Sequence, residues 1–362
     1  MSLINRKTLA AVGATAIAIA TTALFATPAQ AASAGLAKVV GTKTVQFRAL
    51  MGKSNSVKLT ISGRTVTITD KVAIQAGKGC KKVSSKKVRC TTSAKTTKLS
   101  VALGDKNDFV RNYTNVYLLV DAGTGNDTLV GGNASEELQG DTGNDKIYGN
   151  GGNDKLIAEA GDDYVSAGAG NDSIWGGSGV DKLYGAAGLD SFRAGPGNDF
   201  LSGGTHVDVL SGDDGNDVIY GGAGEYTSGG YIYGDTVYGG NGNDVIYGEA
   251  DTDLVDAGAG NDRIYAGADY DIVEGKTGND SIWGEAGNDL LAGDSYNPAN
   301  STPIGSASAA DRVDGGANSD ICLVTGKSTV ANCEQTGPAA AGLSVGASDE
   351  LSARFAAIRP AK

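Results

Sequence analysis

Gly239-Gly240-Asn241-Gly242-Asn243-Asp244-Val245-Ile246-Tyr247 reads as a glycine-rich turn followed by a short strand, and the same spacing continues in both directions from it. Gly140-Asp141-Thr142-Gly143-Asn144-Asp145-Lys146-Ile147-Tyr148 repeats it upstream. From Ala122 to Ala292 the register holds for 171 residues, as 19 consecutive nonapeptides of the form Gly-Gly-x-Gly-Asn-Asp-x-apolar-x. The sixth place is Asp in 17 of the 19, with Glu136 and Tyr226 as exceptions, and the eighth is apolar in all but the copy holding Ser228. A fixed short period is the signature of a solenoid, in which each unit buries its apolar face only against its neighbours. Side chains alternate along a strand, so the eighth residue points into the coil while the seventh and ninth point out. Two nonapeptides make one coil, and copies two apart stack at roughly 4.8 Å, the spacing of neighbouring strands. The expected fold is all-β, a parallel β-solenoid with a ladder of aspartates along each edge.

Those ladders need a cation. Glycines at the first, second and fourth places allow backbone angles that turn carbonyl oxygens toward a common point, and each Asp adds a carboxylate to a stack of like charges. A hard divalent ion relieves the repulsion and accepts carbonyls and carboxylates together, six to eight oxygens at about 2.3–2.6 Å for calcium. Magnesium demands near-octahedral geometry, and zinc prefers the His and Cys that these repeats essentially lack.

Sorted by alternate copies, one edge carries Asp127, Asp145, Asp163, Asp181, Asp199 and Asp217, with Gly125 and Gly143 among the fourth-place glycines. The same edge is then expected to weaken, because its fourth place becomes Tyr233, Asp251 and Asp269, before Asp289. The other edge reads as two runs, Asp154, Asp172 (with Gly170) and Asp190, then Asp244 (with Gly242), Asp262 (with Gly260) and Asp280. Between them His206 replaces a glycine and Tyr226 an aspartate, so both ladders are expected to fail near Tyr226 to Tyr233.

The repeat resembles the haemolysin-type, or RTX, calcium-binding nonapeptide, one of the repeat signatures with a known physical basis. The resemblance spans Ala122 to Ala292 and implies a right-handed parallel β-roll, with several Ca2+ ions held between turns two copies apart by Asp carboxylates and Gly carbonyls. RTX toxins and proteases often add a catalytic or pore-forming domain and leave the cell by a C-terminal signal. This chain instead looks like the small secreted calcium-binding repeat proteins of actinobacterial type.

The flanks fit export. Residues 1–31 read as a signal peptide: Arg6 and Lys7, an apolar stretch from Thr8 to Phe25, and Ala29-Gln30-Ala31 as a small-x-small cleavage site. An uncleaved membrane anchor is the competing reading of that stretch. Four cysteines fall as two close pairs, Cys80 with Cys90 and Cys322 with Cys333, suggesting two local disulfides rather than a metal site, since neither pair has CxxC spacing. Residues 32–121 are expected to form a basic β-rich cap domain, residues 293–335 a second cap of degenerate repeats closed by the latter cysteine pair, and residues 336–362 an Ala-rich tail, mostly disordered, with one short helix near Asp349 to Ile358. The net charge of −12 divides unevenly: 17 Lys and Arg against 3 Asp and Glu in Gly35–Val120, then 6 against 32 in Asp121–Ala292. The basic cluster Lys78, Lys81, Lys82, Lys86, Lys87 and Arg89 is either a solvated face, a dock for the acidic roll, or a contact for an anionic envelope polymer such as teichoic acid or another cell-surface carbohydrate. Export and the acidic roll argue against nucleic acid.

Ninth-place aromatics suggest outward stripes: Tyr247, Tyr265 and Trp283 with Trp175 on one face, Tyr220 and Tyr238 on the other. Such a stripe stacks on sugars or on itself, ring by ring. His206 sits in a turn with no nucleophile in recognisable context, and a ladder of identical carboxylates is a cation array rather than an acid paired with a base. The chain therefore reads as a secreted calcium-binding repeat protein without catalysis. An adhesion module is the rival.

Overall fold

The computed structural model describes residues 34–224, 226–228, 231–297, 302–304, 310–324 and 327–336. The expected signal peptide and the tail beyond residue 336, with its helix, lie outside them.

The described residues contain strands and no α-helix, in two long sheets and small hairpins. Successive nonapeptides alternate between the sheets, and each strand pairs in parallel with the strand 18 residues on: Lys146–Gly151 with Tyr164–Ala169 in one sheet, Lys155–Ala160 with Ser173–Ser178 in the other. The eighth-place side chains, from Leu129 through Ile147, Val165, Leu183, Leu201 and Ile219 to Val237, Ile264 and Leu291, form a single column of buried apolar residues between the sheets. Fully burying one such side chain contributes about 1.5–3 kcal/mol. The alternation in sequence thus becomes a dry seam running the length of a parallel β-solenoid.

The pairing passes through both ends of the perfect repeats. Thr44–Arg48 pairs in parallel with Lys98–Asp105, itself paired with Tyr117–Thr124, and Ser56–Ser62 pairs in parallel with Phe109–Asn112, itself paired with Thr128–Val130. Antiparallel strands close this end: Gly35–Val40 on Thr44–Arg48, and Thr65–Thr69, Lys87–Thr91 and Cys80–Ser84 beyond Ser56–Ser62. Cys80 and Cys90 face each other across the last pair and are disulfide-bonded, as are Cys322 and Cys333 at the far end. Both local bridges expected from the spacing are present.

One expectation fails in an informative way. Val209–Asp214 pairs with Thr236–Asn241, and Val218–Ala223 with Val245–Glu249, a step of 27 residues in place of 18. Tyr226–Ser228 and Tyr231–Tyr233 leave the roll as an antiparallel hairpin. The residues that remain, Gly221-Gly222-Ala223-Gly224 and Gly234-Asp235-Thr236-Val237-Tyr238, join into one complete nonapeptide. The apparent twelfth and thirteenth copies are therefore one copy interrupted by a nine-residue insertion. Because the insertion has the length of a repeat, it keeps the sequence frame yet exchanges the edges of everything downstream. A second hairpin, Ser295–Asn297 with Thr302–Ile304, interrupts a later turn, after which the register resumes between Leu290 and Ile321.

The seventh place is not uniformly wet. On the sheet containing Thr236–Asn241, outward-facing Leu254, Ile272 and Leu290 join Ala292 and Leu323 in a second, smaller buried cluster.

Candidate metal centre

Each turn delivers its sixth-place Asp to the edge of the roll in the same way. The carboxylate Oδ1 accepts the backbone N–H of the equivalent Asp one coil earlier: Asp127 to Asp145 at 2.7 Å, Asp145 to Asp163 at 2.6 Å, Asp163 to Asp181 at 2.9 Å. The Asp carbonyl accepts the seventh-place N–H of the next coil, as Asp127 does from Lys146 at 2.9 Å. Backbone and one carboxylate oxygen are thereby used, and the side chain is almost wholly buried. The other oxygen, Oδ2, is also buried and has no hydrogen-bond partner at Asp127, Asp145, Asp154, Asp163, Asp172, Asp181, Asp190, Asp199, Asp208, Asp217, Asp244, Asp253, Asp262, Asp271, Asp280 and Asp289. Buried polar oxygens are ordinarily paired, and an unpaired one carries a desolvation cost of about 1–3 kcal/mol, more when charged. A row of them, all facing the same part of each turn, is a row of ligand positions.

Glycine makes the room. A Cβ on first-place Gly140 would lie 2.2 Å from Asp145 Oδ2 and 3.0 Å from the carbonyl oxygen of Ala158 in the next coil. Carboxylate and carbonyl oxygens therefore converge against a bare Cα. At the fourth place, Gly143 has φ +125°, and a Cβ there would stand 1.9 Å from the Gly125 carbonyl oxygen. Among the described residues no three His, Cys, Asp or Glu side chains gather at one point. An ion at these turns would have to combine one carboxylate per coil with backbone carbonyls, an all-oxygen set suited to calcium and not to zinc.

Burial pushes these carboxyls well above their ordinary value of 3.8, and at Asp145, Asp181, Asp217 and Asp262 neighbouring ladder members push in the same direction. Asp127, Asp163, Asp199 and Asp244 rise to about 6, and Asp145, Asp181, Asp217, Asp262 and Asp280 to about 7. On the second edge Asp253, buried beside Asp235 and Asp271, reaches about 10.

The edge assignment expected from alternate copies is corrected by the insertion. Asp217 donates to Asp244 at 2.8 Å and Asp208 to Asp235 at 2.7 Å, each across 27 residues. One edge therefore runs Asp127, Asp145, Asp163, Asp181, Asp199, Asp217, Asp244, Asp262, Asp280 and on to Asp311. Its fourth places, including Gly125, Gly143, Gly242 and Gly260, are glycine throughout the repeats. The other edge runs from Glu136 through Asp154, Asp172, Asp190, Asp208, Asp235, Asp253, Asp271 and Asp289 to Asp320. It collects the irregular fourth places: Gly170 is kept, but Ala134, His206, Asp251 and Asp269 replace glycine. Neither ladder breaks near Tyr226 to Tyr233. At three of the four places that lack glycine the backbone stays left-handed, with φ +80° at His206, +87° at Asp251 and +79° at Asp269. Glu136 differs from the aspartates with an unpartnered Oδ2 in having both oxygens bonded, one by Asn112 Nδ2 at 3.1 Å and one by the Gly132 N–H at 3.1 Å. Exposed His206 sets its Nδ1 against its neighbour's carbonyl, Thr205 O, at 2.7 Å.

The fifth-place asparagines are a part of the site that the motif alone did not explain. Asn144 N–H donates to Asn126 Oδ1, and Asn171, Asn216, Asn243, Asn261 and Asn279 continue the pattern on the same terms. This ladder points back toward the N-terminus, whereas the Asp ladder points forward. The turns joined in this way are held from both sides.

Aromatic side chains form one continuous ladder on the sheet that contains Lys146–Gly151. Tyr148, Tyr164, Tyr184, Phe200 and Tyr220 follow at centroid distances of 5.4–5.7 Å, and Tyr220, Tyr247, Tyr265 and Trp283 stack nearly parallel at 4.6–4.9 Å. Tyr220 belongs with Tyr247, contrary to the expectation of opposite faces, while Trp175 and Tyr238 lie on the other sheet. The same nine-residue exchange is the cause. Rings packed on one another in this way stabilise the strands that carry them.

Fold and edge chemistry together define a calcium-binding β-roll. A family model described as the RTX calcium-binding nonapeptide repeat matches residues 119–136, 130–165, 157–192, 193–227, 229–264 and 265–295. Through this region the chain belongs to the haemolysin-type RTX repeat family. No curated protein matches the chain. No helix among the described residues is long and apolar enough to cross a membrane.

Proposed function

We infer that this is a secreted protein whose roll folds as it binds several Ca2+ ions after export, and whose role is structural or binding rather than catalytic. The observation that carries the reading is the row of buried, unpartnered Oδ2 atoms beside turn carbonyls. In a low-calcium compartment those oxygens must either take protons or repel one another, and both disfavour the closed turns. In an extracellular medium a cation answers each of them, so binding free energy becomes folding free energy. Sites of this extracellular kind bind with Kd of roughly 10⁻⁴–10⁻³ M. The ligands are the carboxylates of Asp127, Asp145, Asp163, Asp181, Asp199, Asp217, Asp244, Asp262 and Asp280 on the regular edge, with carbonyls of glycines such as Gly125, Gly143, Gly242 and Gly260. Asp154, Asp172, Asp190 and Asp289, with Gly170, serve the second edge. Two disulfides accord with an oxidising compartment. Far-UV circular dichroism at neutral pH is the test. Strand signal should appear on adding millimolar CaCl2 and vanish in EDTA, and a spectrum indifferent to chelation would end the coupling.

A further inference from the structure

We propose that Asn55, Asp70 and Asp108 form an additional divalent-cation site at the N-terminal end of the roll, outside the repeats. The three residues come from three adjacent strands and occupy the same end of each. Asp70 directly follows Thr65–Thr69, Asn55 directly precedes Ser56–Ser62, and Asp108 directly precedes Phe109–Asn112. The first pair of strands is antiparallel and the second parallel, which is why a residue after one strand and residues before the other two meet.

Hydrogen bonds fix all three in place and make them an extension of the regular edge. Asp108 N–H donates to Asp127 Oδ1 at 2.6 Å, Asn55 N–H to Asp108 Oδ1 at 2.5 Å, and Ser56 N–H to Asp70 Oδ1 at 2.7 Å. The Asn55 amide is oriented by its nitrogen, which donates to Lys53 O at 2.8 Å and to Asp108 Oδ1 at 3.3 Å. The remaining oxygens, Asn55 Oδ1, Asp70 Oδ2 and Asp108 Oδ2, are buried without any partner, and their residues are 0%, 3% and 4% exposed. Two carboxylate oxygens and an amide oxygen without a hydrogen-bond partner are a donor set for a hard cation, although the backbone N–H groups of Lys71 and Val72 also act on the Asp70 carboxylate. The carboxyls sense each other: burial chiefly, and the Asp70 charge in addition, push Asp108 up to about 6, while the ammonium of exposed Lys71 acts on both in the opposite sense. Zinc is disfavoured by the absence of nitrogen and sulfur, and calcium is the fitting occupant. Such a site would pin the antiparallel cap to the first coil.

The experiment uses crystals of the full chain soaked in TbCl3, with terbium as a calcium substitute located by anomalous scattering, alongside terbium titration of the protein in solution. The expected result is a terbium peak among Asn55 Oδ1, Asp70 Oδ2 and Asp108 Oδ2, lost in D70N with the roll peaks retained and the stoichiometry reduced by one. N55D, which adds a carboxylate, should lower the half-saturating terbium concentration of that site by roughly threefold to tenfold, since affinity follows ligand charge. Terbium in the roll turns but not at these three residues, in the unmodified protein, overturns the proposal irrespective of how the variants fold. A peak here with empty roll turns would support it while refuting calcium binding by the repeats.

Discussion

Removing calcium should make the roll an acid-stable protein, and the ladder carboxyls set where it fails. The unfolded chain titrates its aspartates near the ordinary value of 3.8, while in the folded roll those of the regular edge sit at about 6 to 7 because burial penalises the charged form. A folded-state value raised above the unfolded one means that the folded state binds the proton more tightly. Its contribution to stability is fully present below about pH 4 and is lost as pH rises through 6 to 7. Between those limits each carboxyl that is protonated when folded and ionised when unfolded costs about 1.4 kcal/mol per pH unit of increase. Three such groups acting together remove roughly 4 kcal/mol per pH unit, against a typical total stability of about 5–15 kcal/mol. The regular edge alone has nine candidates in the repeats, from Asp127 to Asp280, so only a fraction of them need behave this way for the calcium-free roll to unfold between about pH 5 and pH 8.

The assay is far-UV circular dichroism and thermal melting in EDTA across pH 4.5 to 8.5, repeated in 10 mM CaCl2. In EDTA, Tm should fall steadily with rising pH and the strand signal should be lost by the top of the range. In calcium the strand signal should persist at pH 8.5, and adding calcium to unbuffered protein near pH 6.5 should release protons. A calcium-free roll more stable at pH 8 than at pH 5, or a Tm flat across the range, would refute the linkage between buried carboxyls and calcium.

Further outcomes follow from the register, the turns and the end of the roll. Cysteines placed at Tyr220 and Tyr247 and labelled with pyrene should give excimer emission, because those rings stack at 4.6 Å; labels at Tyr220 and Tyr238 should not, although an uninterrupted repeat would place that pair together. Gly143→Ala should destabilise by more than 3 kcal/mol, since its Cβ would stand 1.9 Å from a backbone carbonyl at φ +125°; cost well above the roughly 1–3 kcal/mol of ordinary overpacking is expected, read by chemical denaturation in calcium. Replacing Cys322 and Cys333 by Ser removes a bridge over a separation of 11 residues. About 3 kcal/mol of chain-entropy stabilisation should be lost, seen as faster amide exchange at Ile321–Leu323 with little change at Ile219.

Much of the fold was legible because a nine-residue period constrains so little else. Strand alternation assigned the eighth place to the interior, and every such residue from Leu129 to Ile219 is buried. Asp at the sixth place was legible as a ligand position for the same reason: its side chain is held at the edge by the turn, not by any particular tertiary neighbour. The caps were only partly legible. That Thr44–Arg48 and Ser56–Ser62 would lie in parallel on the first coil depends on pairing across gaps of about 54 residues, which no local pattern encodes. The fifth-place asparagines were visible in the motif, yet their role required knowing that one coil's N–H meets the previous coil's Oδ1.

A period count assigns the edges wrongly for a physical reason. A roll has two states per coil, one nonapeptide in each sheet, so the sequence repeats every nine residues while the structure repeats every 18. An insertion of nine is silent in the first period and inverts the second. The clue lay in composition: Tyr226, Ser228 and Tyr233 break the sixth, eighth and fourth places in succession, and removing the nine residues that contain them restores a complete copy ending at Tyr238. Restoring it also gives one edge glycine at all nine of its fourth places, from Gly125 to Gly278, and leaves all the exceptions, Ala134, His206, Asp251 and Asp269, on the other. Random loss of motif residues would scatter across both edges. Their segregation argues that the two edges are held to different standards, one kept as a uninterrupted row of glycine-and-aspartate turns, the other free to exchange glycine for residues that tolerate φ near +80°.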